Sequence, residues 1–328
     1  MALFAIVIAL LLEQVRPLAP NSQIAIGLRG WARSIGRNVD AGGVQHGWLA
    51  WALAVALPAL AAAGAYWLLG WLGGWPLKLL WSVFILYLTL SSRRFSHYFS
   101  GIRDALDTGD EERARALLAC WQQIDAAALP RSELARRTIE YSVLTAHRHV
   151  FGVLVWFCVL AALGLGPAGA VFYRNAEFAQ RYWRNKSQAA DQPVSPALAQ
   201  VAEQAWQAAD WVPARCTALC FAVVGSFEDA VDVWRNHAAR FANANDGVVL
   251  AATAGALGVR LGGAALKPLA PGLMGQPAAD GVDLEIDGSL PGQPPSAAHF
   301  AQVIGLLWRT MGLWLLLLVL LTLARVMG

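Results

Sequence analysis

From Ala41 to Leu77 the chain carries no Asp, Glu, Lys or Arg. About 20 consecutive apolar residues suffice to cross a bilayer as a helix, so this stretch constrains the fold before any other feature is considered. Trp48 to Leu72 reads as one span. Gly73, Gly74 and Pro76 predict a tight turn, because Gly permits positive φ and Pro fixes φ. Leu77 to Leu90 then returns, with Lys78 placed to snorkel to the surface. The two arms make a helical hairpin.

Composition agrees with a membrane chain. Apolar residues make up 57% and charged residues 14%, whereas soluble domains run at about 25% charged. The tryptophan count, 15, fits enrichment at the membrane interface. High hydrophobicity excludes general disorder. A net charge of +3 leaves no broad basic footprint for nucleic acid. Cys120, Cys158, Cys216 and Cys220 contain no CxxC pair, which excludes a zinc ribbon and a thioredoxin motif. They read as small packing residues.

Val150 to Phe172 is a further uncharged span. Gly164, Gly166, Pro167 and Gly169 in its second half predict a kink or a close helix contact. Ile304 to Val326, interrupted by Arg309, is another. Met1 to Leu12 is apolar but short and lacks the basic n-region of a signal peptide; it reads as a retained, short or tilted helix. Trp211 to Phe227 reads as a re-entrant or interfacial helix. Arg residues crowd segments 13–47 and 91–149, and the positive-inside rule makes that side cytoplasmic. The fold class is therefore all-α, a polytopic helical membrane protein with a small helical cytoplasmic segment. Its predicted parts are 1–92 (membrane helices with the hairpin), 93–149 (cytoplasmic helices) and 150–328 (C-terminal membrane region).

Within 96–149, Asp107-Thr108-Gly109-Asp110 predicts a turn. Glu111 to Gln123 then places Ala114, Leu117, Leu118 and Trp121 on one face at helical spacing. A second helix begins at Ser132. Residues 273–298, rich in Gly and Pro, predict a loop. Its Asp280, Asp283, Glu285 and Asp287 offer oxygen ligands for a divalent cation, or are a solvated acidic face.

Three stretches have the residue types for chemistry. His147-Arg148-His149 is basic, but two His two positions apart point to different faces of a helix. Anchoring a helix end at the headgroups fits better than joint metal ligation. In Asp210-Trp211-Val212-Pro213-Ala214-Arg215, Pro213 suits a first helical turn with Asp210 as its cap. Arg215 then enters an apolar run, which is costly unless it is paired or solvated. It either holds a phosphate or carboxylate or pairs structurally with Asp210 or Glu228. The third stretch, Asn243 to Gly263, is rich in small residues that allow close approach of a neighbouring helix or of a bulky ligand. There, Arg260 again suits an anion.

These stretches resemble the CobD/CbiB family. Asp-Trp-Val-Pro-Ala-Arg-Cys-Thr-Ala-Leu at 210–219 is similar to the family's Asn-Trp-Ile-Pro-Ala-Arg-Leu-Thr-Ala, and Gly255 to Gly263 reads GALGVRLGG, as the family motif does. Gly166 to Arg174 resembles its Gly-x-Pro-Gly-Ala-x-x-Tyr-Arg segment, and Phe95 to Asp110 its cytoplasmic loop. The resemblance implies a multi-pass protein of the bacterial inner membrane in cobalamin biosynthesis. Such proteins act as adenosylcobinamide-phosphate synthases, joining aminopropanol or its phosphate to the propionate of adenosylcobyric acid with ATP and Mg2+. The implied substrate-binding residues are Asp210, Arg215, Asn245, Gly255, Gly258, Arg260, Gly262 and Gly263. A corrinoid is the implied substrate. The implied partners are the lipid bilayer and either a second copy or other membrane proteins of the pathway, with no nucleic acid.

The departures are specific. The family's Glu-Asn-Leu-Ser-Asp-Gly motif is replaced by Thr145-Ala146-His147-Arg148-His149-Val150, followed by Phe151-Gly152. Paired Asp residues are replaced by Trp206 and Gln207, and a Pro-Glu pair by Val249 and Leu250. Ala146 to Phe157 resembles another branch, the AmpE-like proteins, which are inner-membrane modulators of β-lactamase induction. Three readings stand: an ATP-dependent amide synthase, a non-catalytic signalling protein, and a membrane scaffold whose small residues only pack helices.

Overall fold

In a computed structural model, residues 2–15, 23–90, 93–188, 194–263, 266–267 and 290–327 are described. They are helical, with no strand among them and one isolated bridge between Val259 and Gln293. The helices are α1 (Ala2–Val15), α2 (Gln23–Val39), α3 (Val44–Trp51), α4 (Leu57–Thr89), α5 (Arg93–Asp107), α6 (Glu111–Gln122) and α7 (Arg131–Ala146). They continue with α8 (Gly152–Ala162), α9 (Ala168–Ser187), α10 (Pro196–Val224), α11 (Phe227–His237), α12 (Ala244–Leu257) and α13 (Ala298–Met327). Short π turns at Ala52–Ala56 and His147–Phe151 join α3 to α4 and α7 to α8.

Among the described residues, three helical stretches are long and apolar enough to cross a membrane: Val44–Thr89, Arg131–Ala162 and Ala298–Ala324. The chain is an integral membrane protein. It divides into two compact units, one of residues 1–93 and 148–213, the other of 94–147 and 214–328.

In unit one, α4 folds back on itself at Gly73 and Gly74, where Gly74 has φ +69°. The arms meet, with Trp81 Nε1 donating to the Ala62 carbonyl at 3.0 Å. Lys78, placed by sequence to snorkel to the surface, lies over two aromatic rings of the other arm. Its Nζ lies 5.0 Å from the Tyr66 ring centroid and 4.8 Å from that of Trp67, held by the negative faces of the two rings. The short apolar helix α1 packs on α4 and buries Ala5, Ile6 and Ala9.

The uncharged run 150–172 predicts a single span, but its helix ends at Ala162. Gly164 and Gly166 adopt positive φ, and α9 turns back to pack on α8 and α4. A Cβ at Gly169 would overlap the Trp156 carbonyl oxygen, so glycine is what lets the two backbones approach. The membrane-length helix instead begins earlier, at Arg131.

A second correction concerns Pro213. It does not begin a helix and Asp210 does not cap one, because α10 runs without a break from Pro196 to Val224. An interior proline removes the amide that the carbonyl four residues earlier would accept. That carbonyl belongs to Ala209, and it accepts the Trp156 indole N–H at 2.8 Å. The replacement donor lets the helix continue through the proline.

In unit two, α6 follows the expected turn. Asp110 caps it by accepting the Arg113 amide at 3.0 Å, and Ala114 and Leu118 are buried. The core of this unit is built on α12, which packs against α7, α11 and α13. The expected acidic cluster Asp280, Asp283, Glu285 and Asp287 lies outside the described residues.

Candidate functional site

In unit two the residues singled out around the Pro-Ala-Arg and Gly-rich stretches meet in part. Arg215 Nη1 donates to Asn245 Oδ1 at 3.2 Å. Asn245 is only 4% exposed. It sits in the first turn of α12 because the Asn243 side chain caps that helix, accepting the amides of Asn245 and Asp246 at 3.0 and 3.3 Å. Half a turn beyond Arg215, Thr217 Oγ1 and His147 Nδ1 form a fully buried hydrogen bond of 2.9 Å. His147 is therefore not a headgroup anchor.

The glycines hold backbone against neighbours. A Cβ at Gly255 would overlap the Asp229 carbonyl and the Ala230 Cα of α11. Gly258, at φ +62°, ends α12 in the left-handed conformation. The chain then pairs with residues 290–293: the Arg260 amide donates to the Gln293 carbonyl at 2.8 Å, and the Gln293 amide to the Gly258 carbonyl at 2.7 Å. Arg260 Nε donates to the Gly292 carbonyl at 2.7 Å.

The last two glycines dock on α7. Gly262 (φ +90°) donates its amide to Glu140 Oε1, and Gly263 (φ +49°) lies against the Arg136 guanidinium. Arg136 is itself held between Glu133, at 2.9 Å from Nε, and Glu140, at 2.7 Å from Nη1. Arg136, Glu133, Glu140 and Thr217 are residues that sequence reasoning missed, and His147 was singled out only with a different role. The i, i+3 and i, i+4 spacing of Glu133, Arg136 and Glu140 is legible as helix pairing. Nothing local joins Glu140 to a glycine that far along the chain.

Asp210 lies in unit one. It is fully buried and accepts the Tyr173 hydroxyl at 2.6 Å. Burial, together with the Asp210 charge, pushes the Tyr173 hydroxyl well above its ordinary pKa of 10.0, so it stays a proton donor. Tyr173 and Arg174 end the Gly166–Arg174 stretch. Next along α9, Glu177 is 3% exposed and pairs with Arg174 at 3.1 Å and Arg181 at 3.2 Å. Burial favours its neutral form, but Arg181 and Arg174 outweigh it and hold the carboxyl down at about 2. Gln180 donates to Glu203 of α10 one turn away.

Among the described residues no group of three or more His, Cys, Asp or Glu side chains is placed to hold a metal ion. Glu133 and Glu140, beside Gly262 and Gly263, both pair with Arg136.

The model for the CobD/Cbib protein family matches residues 2–270. The chain belongs to this family. It is 32% identical over 281 residues to "Cobalamin biosynthesis protein CobD" of Stutzerimonas stutzeri, covering 84% of this chain and 81% of that one. It is 32% identical to the protein of the same description from Chromobacterium violaceum, over 79% of this chain and 80% of the relative. The Mycobacterium tuberculosis protein so described is 36% identical over 49% of this chain and 50% of its own length. No solved structure matches. The Tyr173–Asp210 pair of unit one and the Arg215–Asn245 pair of unit two both lie in the matched region.

Proposed function

We propose that the chain is an adenosylcobinamide-phosphate synthase-type enzyme of the bacterial inner membrane. It forms the amide bond between aminopropanol, or its phosphate, and the propionate of adenosylcobyric acid, using ATP. The observation that carries this reading, beyond membership of the family, is the Arg215–Asn245 pair. One guanidinium N–H is fixed by a buried amide, which orients a planar fork of the kind that suits a carboxylate or phosphate.

A carboxylate is a poor acyl donor to an amine until it is activated, which is the part ATP plays in this reading. Magnesium enters with the nucleotide as a co-substrate. Mg2+ commonly keeps its waters and binds through one or two carboxylates plus substrate phosphates, so a dedicated protein cage is not required. The small residues Gly255 to Gly263 carry the Arg260 segment close against its neighbours, and Arg260 presents a second cation.

The test is titration of adenosylcobyric acid into the detergent-purified chain, read from the corrinoid absorption spectrum, with and without Mg-ATP and aminopropanol phosphate. Micromolar binding is expected, weakened at least tenfold in Arg215→Ala, with product formed when all substrates are present. A folded, monodisperse sample that binds no corrinoid overturns the reading. It would leave the non-catalytic, AmpE-like signalling role, for which muropeptides are the ligands to try.

A further inference from the structure

The turn inside α4 and the turn that follows α8 lie together at one end of unit one. A Cβ at Gly166 would overlap the Tyr66 ring, and one at Gly164 would touch the Trp67 ring. The 163–167 turn is thus held against the last part of the first hairpin arm. This end is aromatic and open. Trp67 and Trp71, four residues apart on that arm, and Trp75, just past the turn, are exposed, Trp71 at 83%. Leu163, where the Arg131–Ala162 helix stops, is 70% exposed.

A contiguous apolar end of this kind marks an interaction surface, and three features select lipid over a protein partner. Indole combines an apolar body with one N–H, which favours the headgroup boundary. Stretches 41–90 and 150–172 together carry one Lys, Lys78, and no Asp, Glu or Arg. The Lys78 stem crosses Gly70 and its Nζ lies over the Tyr66 and Trp67 rings, so the cation is fixed at this end, with the sign that suits lipid phosphates. The end also continues the apolar surface of two membrane-length helices, Val44–Thr89 and Arg131–Ala162.

We propose that the α4 turn and the 163–167 turn seat together in the lipid headgroup layer, with Trp67, Trp71, Trp75 and Leu163 as the contacts. The layer is the one away from Arg37 and Arg93, which flank the hairpin in sequence on the side that Arg enrichment makes cytoplasmic.

The test uses the full chain, labelled with 5-fluorotryptophan, in nanodiscs of phosphatidylethanolamine and phosphatidylglycerol. Trp71→Phe and Trp75→Phe assign the 19F signals of those two rings, and Leu163→Trp adds a signal in the second turn. A gadolinium-chelate headgroup lipid is expected to erase all three signals, while a lipid with a nitroxide at the chain end leaves them. The three variants are independent, so one that fails to fold leaves the other two to decide. Signals erased by the chain-end probe put the turns in the hydrocarbon core. Signals that survive both probes mean that protein, such as a second copy of the chain, covers this end. Either result overturns the proposal, as does a Leu163→Trp signal that behaves unlike that of Trp71. For the side, Trp71→Cys and Leu163→Cys in bacterial spheroplasts should take a membrane-impermeant maleimide beyond the labelling of the unsubstituted chain. Labelling above that level only in inverted vesicles, or in neither preparation, overturns the assignment.

Discussion

The two units bury polar groups in different ways. In unit one, the polar contacts follow helical spacing. Tyr173, Glu177 and Gln180 lie along one face of α9, and the first and last of them meet Asp210 and Glu203 of α10. In unit two, the decisive contacts join backbone to side chain across long separations, as where Gly262 donates to Glu140 and Arg260 holds the Gly292 carbonyl. One unit is a seam of side chains that stabilises two packed helices. The other is a glycine-rich strap clasped onto a helix. Substitutions should therefore act by different routes in the two, through charge and donor balance in unit one and through steric overlap in unit two.

The largest effect is expected for Gly255→Leu. The new side chain would meet the α11 backbone at Asp229 and Ala230, and overpacking of this kind costs about 3 kcal/mol. Thermal unfolding in detergent should show a large fall in midpoint, and an unchanged midpoint would mean that α11 and α12 can separate freely. Tyr173→Phe comes next. It leaves the fully buried Asp210 without the Tyr173 hydroxyl, a loss of about 2 kcal/mol for a hydrogen bond to a charged group. Asp210→Asn keeps an acceptor and should cost less.

The third prediction concerns acid stability. The folded-state pKa of Glu177 is depressed to about 2 from 4.5. Between these values the unfolded chain binds the proton that the folded chain refuses. The stabilisation is thus complete above about 4.5 and lost as pH falls toward about 2. Urea unfolding across that window should show a flatter acid limb in Glu177→Gln, and an identical slope would remove Glu177 from the seam.

The smallest effect tests the proline in α10. Trp156→Phe removes the donor to the Ala209 carbonyl and should cost about 1 kcal/mol. In a Pro213→Ala background, the restored amide would take that carbonyl and the cost should fall toward zero. Additive losses in the double variant would show that the indole contact and the proline act independently.

The membrane character, the hairpin turn and the helix α13 were legible in the sequence, since uncharged length and a Gly-Gly-x-Pro break are local properties. The turn at 107–110 that precedes α6 follows from the same kind of signal. The site was legible only in part. Arg215 and Asn245 were each singled out, and the structure brings them together. Their pairing was hidden because it joins residues on different helices, where local alternatives such as Asp210 and Glu228 look equally good on paper.

By itself the sequence determined that this chain crosses a membrane as helices and, through its motifs, to which family it belongs. Only the tertiary structure decided where the third membrane helix stops, that α10 continues through Pro213, and that Gly262 and Gly263 lie on Glu140 and Arg136. The physical reason is the same in each case. Apolar length and residue propensity act along the chain, whereas a backbone group freed by proline or glycine takes whichever donor or acceptor the fold brings within reach.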